Sequence, residues 1–83
     1  MLTLYVRTSC PYCQRTLAAA QELGVSLTEK EVSDPGVTDE LIGLGGKRQM
    51  PFLVDSDRGV KMYESEDIIE YLRTHYGTHA HSS

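Results

Sequence analysis

The chain of 83 residues is short of cysteine, with two, and has no aspartate or glutamate before Glu22. Each shortage excludes something. Two cysteines cannot complete a tetrahedral zinc site, which needs four ligands. The histidines that could supply the rest, His75, His79 and His81, all fall in the last nine residues. A structural disulfide between the two cysteines would close so short a loop that it would staple little. No apolar run approaches the ~18–20 residues of a membrane span. Leu2–Val6 is too short, and lacks the basic lead, for a signal peptide. A CxxC pair without an export signal suits a reducing compartment, so a cytoplasmic location is expected. The net charge of −4 argues against nucleic acid or an anionic membrane as a partner.

The missing early acids leave Arg7 and Arg15 unopposed on either side of the cysteine motif, with Lys47 and Arg48 as a second basic pair. If the fold gathers these near Cys10, an acidic protein carries a locally positive thiol site. Such a site favours a thiolate and a small anionic partner. Arg15 and Arg58 read as ordinary solvated surface.

What is present centres on Cys10-Pro11-Tyr12-Cys13. Two thiols three residues apart in one helical turn have Cα atoms about 5–6 Å apart, within reach of a disulfide. Pro11 suits the first helical position, where its missing N–H costs nothing. Cys10 then sits at the helix start, facing unpaired N–H groups and the positive end of the dipole. That setting lowers a thiol pKa from about 8.5 to about 3.5–7.5 and makes a nucleophile. Cys13 lies one turn deeper, placed to attack any disulfide that Cys10 forms.

The remaining pattern predicts one α/β domain. Leu2–Val6 reads as a buried strand, Pro11–Leu23 as a helix stopped by Gly24, and residues 25–32 as a second strand, giving a right-handed parallel β-α-β unit. After the turn at Asp34-Pro35-Gly36, Thr38 can cap a short helix that ends at Gly45-Gly46. Residues 51–54 and 60–63 flank a five-residue loop, residues 55–59, as a hairpin. Ser65 can cap a last helix whose buried stripe is Ile68, Ile69, Leu72 and Tyr76, stopped by Gly77. Tyr5, Tyr63, Tyr71 and Tyr76 read as core or boundary residues, and Met50 and Met62 as packing. Gly43-Leu44-Gly45-Gly46-Lys47 lacks the spacing of a phosphate loop. The order is β-α-β-α-β-β-α, a four-stranded mixed sheet flanked by helices, with residues 1–77 as the domain and 78–83 as a flexible tail.

This order, the Cys-Pro-Tyr-Cys helix start and Pro51 opening the third strand resemble the glutaredoxins of the thioredoxin superfamily, over residues 2–72. The resemblance implies a thioredoxin-like fold and a glutathione-disulfide oxidoreductase. It makes Cys10 the nucleophile and Cys13 the resolving thiol. It implies a cis bond before Pro51, and pairing of the Met50 backbone with the cysteinyl unit of glutathione. Arg7 matches a basic residue near the thiolate, Lys47 one that reaches the glycine carboxylate, and Tyr12 a flank of the bound tripeptide. Two departures stand out: Gln49-Met50-Pro51 replaces Thr-Val-Pro, and Tyr63-Glu64 replaces a Gly-Gly pair. Glu64-Ser65 instead resembles the Glu-Ser step of glutathione-transferase N-terminal domains. That step implies Ser65 and Glu64 or Glu66 at the γ-glutamyl end.

Glutathione is thus expected as co-substrate, with disulfide-bonded or glutathionylated proteins as partners, no metal, and a monomer. Alternatives are an iron–sulfur carrier built as a glutathione-bridged dimer, a thioredoxin-like reductant, and a glutathione-transferase-like domain. The last is expected to need a following helical domain, before which this chain ends.

Overall fold

A computed structural model describes residues 2–76. The chain runs β1 (Leu2–Val6), α1 (Pro11–Leu23), β2 (Thr28–Glu31), α2 (Val37–Gly45), β3 (Phe52–Asp55), β4 (Val60–Met62) and α3 (Ser65–Tyr76). This is the expected order. The strands form one sheet, ordered β2-β1-β3-β4. β1 and β2 are parallel, with Thr3 opposite Thr28, and β1 and β3 are antiparallel, with Leu4 opposite Leu53. β4 closes the hairpin with Met62 opposite Leu53.

Alternation along the strands divides the core in two. Leu2, Leu4 and Val6 of β1, with Leu53 of β3, meet Cys13 and Ala20 of α1 and Ile68 and Leu72 of α3. Tyr5 and Phe52 turn to the other face and meet Leu41 of α2 and Val32. Helices α1 and α3 therefore cover one face, and α2 the other. Burying each such aliphatic or aromatic side chain contributes about 1.5–3 kcal/mol. On the α2 side, the Tyr5 hydroxyl donates to Glu40, which also accepts from Lys30 at 2.7 Å, so α2 is tied to two strands.

Several boundaries differ from expectation, each for a local reason. β2 starts later than residue 25. The Val25 N–H donates to Ala20 O at 2.9 Å and the Gly24 N–H to Gln21 O at 3.1 Å, so these residues close α1. Gly24 does this with φ 74°, a left-handed conformation that glycine adopts without strain. Thr38 does not cap α2. Gly36 takes that position, and the Thr38 hydroxyl donates 2.9 Å to Val32 O, fastening the helix to the end of β2. Ser65 is the first residue of α3, not its cap, because the Glu64 carbonyl accepts the Ile68 N–H at 2.8 Å. Asp55 belongs to β3 and is fully buried, so the hairpin loop is residues 56–59. Its carboxylate accepts the hydroxyls of Tyr71, at 2.6 Å, and Tyr76, and the Asp57 N–H at 3.1 Å. The Gly77 stop and the tail at 78–83 lie outside the described residues.

Candidate functional site

Cys10 caps α1 with extended backbone (φ −86°, ψ 120°), and Pro11 opens the helix as expected. The Cys10 N–H donates to Arg7 O at 2.9 Å, and the Arg7 N–H points to Cys13 Sγ at 3.5 Å. Both cysteines are free thiols; Cys10 is half-buried and Cys13 fully buried. The two ionise in opposite directions. At Cys10, burial pushes the pKa up, but the Cys13 N–H and thiol, the Tyr12 N–H and the Arg7 charge outweigh it. The Cys10 thiol therefore ionises more readily than an ordinary cysteine. At Cys13, burial dominates and the neighbouring Cys10 adds to it, pushing the pKa up to about 11 despite the Arg7 N–H. The Cys10 sulfur therefore gives up its proton more readily than the Cys13 sulfur.

The loop that presents Cys10 is held from two sides. The Thr8 N–H donates to Glu31 Oε1 at 3.0 Å, and the Gln14 side-chain amide donates to the Thr8 carbonyl. Ser33 fixes the other Glu31 oxygen through its N–H (3.3 Å) and hydroxyl (3.1 Å). A strand end and the first turn of α1 thus clamp one residue, Thr8, by its N–H and its carbonyl, two positions before Cys10.

Beside this helix start lies a cleft of about 500 Å³ between α1, the segment entering β3, and the start of α3. Of the residues proposed from sequence, Tyr12, Met50, Pro51, Glu64, Ser65 and Glu66 line it. The Met50–Pro51 bond is cis, as the resemblance implies. Tyr12 is 60% exposed at the mouth. Cys10 itself is outside the lining, two residues before Tyr12, and packs with Met50 against the same core cluster. Arg7 is also outside the lining and acts on Cys10 through its charge. Lys47 is outside the lining and joins it through Tyr63. Its N–H donates to the Tyr63 hydroxyl and its carbonyl accepts from it, both at 3.1 Å, and its Nζ lies 5.3 Å from the Tyr63 ring centroid.

The sequence reading left three lining residues without a ligand role: Arg15, Gln49 and Tyr63. Arg15 is exposed, as expected, and also forms an ion pair with Glu66 across α1 and α3. Gln49 Nε2 reaches Glu64 Oε2 at 3.5 Å. The helical spacing of Tyr12 and Arg15, three apart, places both on one face and is the signal that could have found Arg15. Among the described residues, no three or more His, Cys, Asp and Glu side chains converge as a metal site, and no helix is long and apolar enough to cross a membrane.

A parallel β-α-β unit, an antiparallel hairpin, a thiol pair at the head of α1 and a cis-proline entering β3 define a thioredoxin-like domain. The chain belongs to the glutathione S-transferase N-terminal domain family, whose model matches residues 4–80. Among solved structures it is similar to a delta-class glutathione transferase of Nilaparvata lugens, at 32% identity and TM-score 0.78 over 94% of this chain and 37% of that one. It is likewise similar to glutathione S-transferase 1-6 of Anopheles dirus species B, at 33% identity and TM-score 0.77 over 92% of this chain and 36% of that one. Glutathione transferase Omega 3C of Trametes versicolor shares 28% identity at TM-score 0.81, over 95% of this chain and 33% of that one. The chain thus spans about a third of the length of these enzymes. No curated protein matches it.

Proposed function

We propose that the protein is a glutathione-dependent thiol–disulfide oxidoreductase that reduces glutathionylated and disulfide-bonded substrates through Cys10. The observation that carries this reading is the placement of Cys10 as the cap of α1, with Cys13 buried one turn deeper, next to a cleft lined by Tyr12, Met50, Pro51 and Ser65. The Cys10 thiolate attacks the glutathione sulfur of a mixed disulfide. A Cys10–glutathione disulfide forms, and the substrate thiolate leaves and takes a proton from water. A free glutathione thiolate then attacks the glutathione sulfur on Cys10, releasing oxidised glutathione and regenerating the Cys10 thiolate. The two electrons come from glutathione. Where the substrate is a protein disulfide, Cys13 loses its proton and displaces the substrate from Cys10, and two glutathiones reduce the resulting intramolecular bond. An attacking thiol works best with a pKa near ambient pH, which suits the direction of the shift at Cys10.

In this reading the Met50 backbone at the cis bond pairs with the cysteinyl unit, and Pro51 and Tyr12 flank it. Ser65 and the N–H groups opening α3 receive the γ-glutamyl carboxylate, and Glu64 or Glu66 receives its ammonium. Lys47 serves the glycine carboxylate, and Arg7 steadies the thiolate.

Family membership favours a second reading, a glutathione-transferase-like domain that activates the glutathione thiol for attack on electrophiles. A glutathione mixed-disulfide peptide assayed with glutathione reductase separates the two. Turnover by wild type, loss in Cys10→Ser and retention of much of it in Cys13→Ser support thiol exchange. Equal behaviour of the two variants refutes the assignment of roles. Conjugation of chloro-dinitrobenzene without mixed-disulfide turnover favours the transferase reading.

A further inference from the structure

We propose that Arg15 is the specificity-determining residue of the cleft, reading the α-carboxylate of an amino-acid head while its partner Glu66 reads the α-ammonium. The inference rests on the glutathione reading above and adds a discriminating residue to it. Among the described lining residues Arg15 is the one cation, set against Glu64 and Glu66. It is already paired with Glu66, yet the two side chains remain 60% and 65% exposed. Exposed pairs of this kind are held weakly and screened by salt, so a ligand can insert between them without stripping buried charge.

The chemistry of the pair defines what it fits. An α-amino acid carries one ammonium and one carboxylate on the same carbon. Laid antiparallel to the Arg15–Glu66 pair, it closes a ring of four alternating charges in which each keeps an opposite neighbour. The carboxylate falls beside Ser65, where the N–H groups opening α3 add donors. A single ammonium or carboxylate would leave one protein charge facing its old partner only. The cleft should therefore select a γ-glutamyl ligand with both charges free, and disfavour one whose α-amino group is acylated or whose α-carboxylate is amidated.

The test uses the full chain and S-methyl ligands, so that thiol chemistry is silent in the titration. Three are compared by calorimetry: S-methylglutathione, its analogue lacking the α-ammonium (glutaryl-Cys-Gly) and its analogue lacking the α-carboxylate (4-aminobutyryl-Cys-Gly). Arg15→Gln should weaken S-methylglutathione ~3- to 10-fold and leave the decarboxylated analogue unchanged. Glu66→Gln should do the converse, sparing the analogue without the ammonium, and Arg15→Lys should recover most of the lost affinity. A uniform loss on all three ligands in Arg15→Gln means a structural role and overturns the proposal. So does tight S-methylglutathione binding that ignores both substitutions, which leaves the glutathione reading standing. Failure of wild type to bind any of the three ligands sinks both.

Discussion

Replacing Asp55 by asparagine tests the anchor that holds α3, and with it Ser65 and Glu66, against the sheet. The carboxylate is fully buried and accepts two tyrosine hydroxyls on Oδ2 and the Asp57 N–H on Oδ1. Burial alone would push its pKa up. The hydroxyls of Tyr71 and Tyr76 and the N–H groups of Arg58 and Asp57 outweigh burial, and hold it below the usual carboxylate range. Asparagine keeps the volume but removes the charge. If its oxygen stays on the Asp57 N–H, its NH2 faces the two hydroxyls, which must turn from donors into acceptors. Charge-assisted bonds of ~1.5–3 kcal/mol become neutral ones of ~0.5–1.5, so two of them together lose about 2 kcal/mol. In a domain this small that lowers the melting temperature by roughly 10 °C.

Urea unfolding of wild type and Asp55→Asn, repeated at falling pH, supplies the assay. A carboxylate depressed in the folded state contributes stability that is fully present above its unfolded value of about 3.9 and is lost as pH falls through the folded value. The gap between the two proteins should therefore be widest near neutrality and close in acid. Equal stability at pH 7, or a gap that widens on acidification, would refute the argument.

Three further outcomes follow from the site and the core. Iodoacetamide labelling of wild type should titrate first at Cys10, below the ordinary thiol range, with Cys13 reacting only toward pH 11; Arg7→Gln should move the Cys10 curve upward because it removes a stabilising charge. Gly45→Ala should destabilise by about 1–3 kcal/mol in urea, because a Cβ there would strike the Tyr63 hydroxyl and the Phe52 ring, overriding the ~1 kcal/mol by which alanine favours a helix. Leu72→Ala, at a fully buried position between α3 and the sheet, should cost about 2–5 kcal/mol in the same measurement.

The parts of this molecule legible in sequence are those set by near neighbours. Pro11 after Cys10, Gly24 after Leu23 and the alternation of Leu2, Leu4 and Val6 against Tyr5 each state a local preference that the fold obeys. What escaped depends on partners far along the chain. Asp55 sits in a polar stretch that reads as a turn, and only α3, packed on the strand end, supplies the hydroxyls that make burial tolerable. Arg15 is the solvated surface residue it looks like, but its pairing with Glu66 is visible only once α3 is in place. Thr38 and Ser65 have the chemistry of caps, but one is drawn to the Val32 carbonyl and the other is displaced by one position when Glu64 takes the cap. The cis bond before Pro51 was implied by resemblance alone, since no local rule selects it.

The sheet order carries a last consequence, for solubility. Its two outer strands are the ones least able to recruit a stranger. β2 is Thr28-Glu29-Lys30-Glu31, whose charges punish close approach, and β4 spans three residues with Lys61 outward. Open rows of N–H and C=O invite accretion of further strands when they are long, flat and greasy. Here both margins are short or charged, so crowding should not drive fibrillar growth.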